Sequence, residues 1–154
     1  MKAERYFILT EAAEMIPVAQ RLLVEVREAR SRISLLRRQR ERADLSAAER
    51  SQLVRGWRHW SRKLANCLDE AFGLGILITP GIRCEAHFPF EHQWVGPAGD
   101  GKLRPAFFVY SDANGTIEDW YFDGWPNDRR AVNPAWWTMF RPGHQPTKST
   151  QQVA

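Results

Sequence analysis

From Thr10 onward, apolar residues recur at Ile16, Ala19, Leu22, Leu23, Val26, Ala29, Ile33 and Leu36. Steps of three and four place them on one stripe of a helix. Thr10 is the predicted N-cap, its hydroxyl accepting from an unpaired amide while Glu11 faces the positive helix end. Pro17 removes one backbone hydrogen bond in the second turn, which predicts a kink rather than a stop. The pattern breaks between Arg42 and Ser46, and Ser46 with Glu49 has the spacing of a capping box that opens a second helix. Its stripe, Leu53, Trp57, Trp60, Leu64, Leu68 and Ala71 or Phe72, reads as a buried seam, and the Gly73 to Gly75 segment supplies a left-handed stop. Two long helices joined by about four residues must run antiparallel, as a hairpin over residues 10–72.

After Gly75 the period falls to 2. Residues 76–79 and 84–88 read as short strands, with Cys84, Ala86 and Phe88 on one face and Glu85 and His87 on the other. Residues 90–95 extend the second strand beyond Pro89. Residues 96–101 form a glycine-containing loop, and strands over 106–110 and 116–122 flank Asn114 and Gly115, a pair suited to closing a hairpin. The fold class is therefore α+β: a long antiparallel two-helix hairpin, then a small antiparallel β-sheet over 76–122, in a single domain spanning 1–141. A Trp-rich extension over 124–141 follows, in which Asn133 and Pro134 start one short helical turn. Residues 142–154 have almost nothing to bury and read as a disordered tail.

The order of these segments resembles the bacterial family called domain of unknown function 2203. The opening Arg5, Tyr6, Phe7, Ile8, Leu9, Thr10, Glu11, Ala12, Ala13, Glu14, Met15, Ile16, Pro17 is similar to that family's start: a Phe, a Thr-x-Glu-Ala-like cap, and an apolar pair ending in proline. Residues 75–78 resemble its Gly-Val-x-Leu segment, and His87, Phe88, Pro89 its Asp-Phe-Pro motif with histidine replacing aspartate. Val109, Tyr110 and Ser111 stand where the family has Cys, Trp and Arg, while Trp120, Tyr121 and Asp123, Gly124, Trp125 echo its Trp-His pair and glycine-rich end. The likeness runs to about residue 132. It implies the helix pair followed by the sheet, and no activity.

Composition narrows the classes. The chain has 154 residues, 44% hydrophobic and 26% charged, which suits one globular domain. Its two cysteines, Cys67 and Cys84, make neither a disulfide scaffold nor a four-ligand zinc set, so a reducing, cytoplasmic location is expected. Neither a signal-peptide core nor a stretch of ~20 apolar residues is present, so no membrane partner is expected. No phosphate-cradling glycine loop occurs. Formal net charge is +4, and residues 21–42 alone hold eight arginines against Glu25, Glu28 and Glu41.

Three site hypotheses follow. Cys84, Glu85, His87, His92 and Asp123 supply metal-ligand types, for which Glu85, His87, His92 and Asp123 are the candidate set for a divalent metal or redox centre. Their spacing matches no strong motif. Arg27, Arg30, Arg37 and Arg38 could pair nucleic-acid phosphates with Trp57 and Trp60 nearby for stacking, against the bland reading of core tryptophans and a solvated face with pairs such as Glu28 with Arg32. Trp125, Trp136, Trp137 and Phe140 are candidate interface anchors, against the reading that they fill the core. Helices of about 40 Å exceed what short strands cover. A non-enzymatic, homodimeric interaction module is thus the leading expectation, its hairpin ends covered by a second copy.

Overall fold

The computed structural model describes residues 5–80, 83–94 and 99–142. The stretch expected to be a disordered tail lies outside them, apart from Pro142. Three helices come first: α1 (Leu9–Glu14), α2 (Ile16–Arg40) and α3 (Ala47–Gly73). Five strands follow as an antiparallel meander in the order β1 (Leu77–Pro80), β2 (Cys84–Gln93), β3 (Leu103–Tyr110), β4 (Ile117–Phe122) and β5 (Arg130–Ala131). A 3-10 helix, Pro134–Thr138, closes the described chain, with the Asn133 side chain accepting from the Ala135 amide at 3.0 Å. The α+β arrangement of a helix pair followed by an antiparallel sheet is as the periodicity predicts.

Two local signals act as expected. Ser46 Oγ accepts from the Glu49 amide at 3.1 Å while the Glu49 carboxylate accepts from the Ser46 amide at 2.7 Å, so α3 opens on a full capping box. At its other end the Ile76 amide reaches the Ala71 carbonyl and the Gly75 amide the Phe72 carbonyl, both at 2.9 Å. Gly75, at φ +82°, supplies the left-handed residue this Schellman ending requires, and a Cβ there would sit 3.2 Å from Arg5 Cβ.

The start of the first helix differs from expectation. Pro17 does not kink one long helix; the chain breaks at Met15, and Pro17 occupies the first turn of a new helix, where its missing N–H is not needed. Thr10 is not the cap. It lies inside α1, fully buried, and its hydroxyl donates to the Met139 carbonyl at 2.8 Å. With Arg141 paired to Glu11 and donating to the Tyr6 carbonyl, this contact ties the C-terminal extension onto α1.

Pro89 sits mid-strand at no cost to the ladder. Its carbonyl accepts from the Phe7 amide at 2.7 Å, on the side that β1 has already vacated, so its nitrogen also points away from β3. The core lies between one sheet face and the lower parts of the helices. Ile78, Ala86, Phe88, Phe90, Ala106, Phe108, Tyr110, Trp120 and Phe122 meet Phe7, Leu22, Leu23, Val26, Cys67 and Ala71 there.

Candidate functional site

The other sheet face carries a polar network. His87 on β2 is only 3% exposed, although alternation turns it away from the core. Tyr121, from β4, places its hydroxyl 2.9 Å from His87 Nδ1, and Thr79, from β1, places its own 3.3 Å from Nε2. The Thr79 hydroxyl donates to the Arg83 carbonyl at 3.4 Å, which leaves its oxygen to accept from Nε2–H. Nδ1 is then the bare nitrogen, and Tyr121 donates to it. Burial first, and the Arg129 guanidinium second, hold the His87 pKa down at about 4. The imidazole is neutral near pH 7, so its 3.7 Å approach to Glu85 is not an ion pair. Glu85 pairs instead with Arg129 at 3.0 Å, and that guanidinium lies over the Tyr121 ring at 4.8 Å.

Of the four proposed metal ligands, this network unites two. His92 is five residues along a continuous strand, so it points to the core face, where Trp120 and Trp136 stand 4.9 and 5.3 Å away. Asp123 lines an open cleft of about 420 Å³ beside Trp94, Arg104 and Trp125. Among the described residues, no three His, Cys, Asp or Glu side chains converge as metal ligands would. Both His87 nitrogens are already hydrogen-bonded, which is what a structural histidine requires. Burial raises the thiol pKa of Cys84 and takes that of Cys67, which donates to Glu25, to about 11.

The aromatic anchors divide as well. Trp136 packs against Phe90, Phe108 and Trp120 and closes the core edge, with Trp137 partly buried beside it. Trp125 remains 58% exposed, its ring tilted at 49° to that of Trp94 with centroids 5.9 Å apart, and Phe140 is 38% exposed.

The helical hairpin is the outstanding feature. No residue from 30 to 66 is buried. The buried residues of α2 end at Ala29, and α3 meets the core from Leu64 onward, so the remainder projects as a two-helix arm. Residues 47–62 of α3 alone span about 24 Å. Trp57 and Trp60 therefore do not form the buried seam their spacing predicts. Trp57 is 49% exposed, and Trp60 is half-buried between Arg32 and Lys63, which lie 5.6 and 5.1 Å from its ring centre. The expected Glu28 pair with Arg32 does not form; Arg32 takes the aromatic face instead.

Residues 30–63 hold eleven basic side chains, ten of them arginine, against three acidic, a net +8. The rest of the chain is then −4. Among the described residues Arg37, Arg38, Arg40, Arg50, Arg55 and Arg58 are exposed and form no ion pair, and Arg42 pairs with Asp44. Of the four arginines singled out in the sequence, Arg27 is tied to Asp112 in the β3–β4 turn. Arg27, Arg30 and Arg38 line one shallow depression along α2 with Arg32. Arg37 faces another way, into a groove of about 410 Å³ between the helices. That groove is lined by Leu36, Leu53, Val54 and Trp57 with Arg37, Arg40 and Arg58. Periodicity does not point to Arg50, Arg55 and Arg58 on α3, because it marks only that helix's apolar stripe; their dense charge is the signal in the sequence.

The chain matches no protein-family model, no curated protein and no solved structure. The likeness to domain of unknown function 2203 rests on the sequence motifs alone. Among the described residues, no helix is long and apolar enough to cross a membrane.

Proposed function

We propose that this protein is a non-enzymatic nucleic-acid-binding module whose two-helix arm is the recognition element. The supporting observation is a projection that contributes nothing to the core yet concentrates a net +8 in arginine. Arms of one sign repel themselves, and a helix needs no such excess for solubility, since interspersed acidic residues serve as well. Arginine's planar fork binds phosphate in bidentate fashion. Its placement all round the arm suits a polyanion with many contacts better than one flat protein face.

The same charge weighs against a homodimer that covers one arm with another, because +8 would then face +8. Two unpaired thiols, Cys67 and Cys84, accord with a reducing, cytoplasmic location. The test is fluorescence anisotropy with a labelled single-stranded oligonucleotide across a salt series. About five neutralised phosphates give a log–log slope near −3.5, so affinity should fall about 100-fold between about 50 and 200 mM salt. Binding that is absent at low salt, or indifferent to salt, would refute the proposal.

A further inference from the structure

The groove near the arm's free end offers a more specific chemistry than phosphate pairing. We infer that it is a seat for an unpaired nucleobase, which would stack on Trp57 while its flanking phosphates take Arg37, Arg40 and Arg58; this rests on the arm being the nucleic-acid interface. Its lining is apolar at Leu36, Leu53 and Val54, and its charged lining residues are all arginines. An occupant must therefore pair an apolar, flat body with negative charge close on either side. A nucleotide within a single strand has that composition.

The aromatic side chain is placed for the task. Trp57 is 49% exposed and Val54 41%, so apolar surface on this face meets water although both residues lie beside the helix–helix seam. Leu36 stands 3.4 Å from where a Cβ on Gly56 would lie, so the two helices pack closely beside the exposed tryptophan. Covering an indole face restores burial that the isolated arm forgoes. The volume, about 410 Å³, lies within the ~300–1,000 Å³ range of small-ligand clefts. A duplex hides its base faces in the stack and presents only edges, so the groove discriminates in favour of single strands, loops and bulges.

The test compares a labelled oligouridylate of about 12 nucleotides with an RNA duplex of equal length, for wild type, Trp57→Ala and Trp57→Phe. Wild type should prefer the single strand, Trp57→Ala should bind it about tenfold more weakly with duplex binding unchanged, and Trp57→Phe, which keeps a ring, should retain most of the preference. Circular dichroism melts confirm that the variants fold. Equal affinity of wild type for both RNAs, or no effect of Trp57→Ala, overturns the base seat while leaving the arm as a phosphate-binding surface. Failure of both RNAs to bind at low salt overturns the arm reading and the seat together. A concentration-dependent dimer in sedimentation, lost in Trp57→Ala, assigns the groove to a second copy and also overturns the seat.

Discussion

Replacing Arg37, Arg38 and Arg58 together by glutamate should weaken oligonucleotide binding by at least about 100-fold and lower the salt slope by about 2, because three phosphate contacts become repulsions. The arm's net charge would drop from +8 to +2. All three side chains are exposed and form no ion pair among the described residues, so the fold should tolerate the change. Stability should stay within about 0.5 kcal/mol or rise, as like-charge repulsion along α2 and α3 is relieved. Thermal melts in parallel with anisotropy separate the two effects. Undiminished binding with an intact melt would remove the arm from the interface.

The second large effect concerns acid. His87 has a folded pKa of about 4, held down first by burial and then by Arg129, against an ordinary 6.5. Between those values the unfolded chain binds a proton that the folded chain does not, so folding stability should fall as pH drops from about 6.5 and level off below about 4. The full contribution is present above pH 6.5. The span corresponds to on the order of 3 kcal/mol. Urea titrations at intervals from pH 7.5 to 4 measure it. His87→Gln should flatten this window while lowering stability at pH 7, because the Tyr121 hydroxyl, 2.9 Å from Nδ1, loses its fitted acceptor. A wild type that is flat across the window, or a variant that keeps the slope, would show that His87 is not the titrating group.

Much of the fold was legible because its punctuation is local. Ser46 with Glu49 and the left-handed Gly75 mark their helix ends through bonds within a few residues, and alternation separates Glu85 and His87 from Ala86 and Phe88. The break at Met15 was not legible, since Pro17 permits either a kink or a fresh start and the choice depends on how α1 docks. Thr10 had the chemistry of a cap but is held by Met139, 129 residues away. The histidines misled for a related reason. Grouping His92 with His87 overlooks that a strand running unbroken through Pro89 sends positions five apart to opposite faces.

The site was half legible. Arginine density was visible along the first helix, but periodicity tells which positions share a stripe and not whether a sheet lies beneath it. Trp57 and Leu68 have the same standing in the sequence. Only the sheet's extent leaves Trp57 in water and packs Leu68 against the core. Once the arm is seen to be unsupported, arginines on both helices become surface charge, and Trp57 becomes part of a groove lining while Trp60 packs between Arg32 and Lys63.

The claim that nucleic acid binds along the arm is tested most directly by photo-cross-linking a 4-thiouridine-substituted oligouridylate to the intact protein and mapping the modified peptides by mass spectrometry. Cross-links should concentrate within residues 30–63, with Trp57 among them, and should disappear in the Arg37, Arg38 and Arg58 reversal. Cross-links confined to the sheet end around Trp94 and Trp125, or none at low salt, would contradict it.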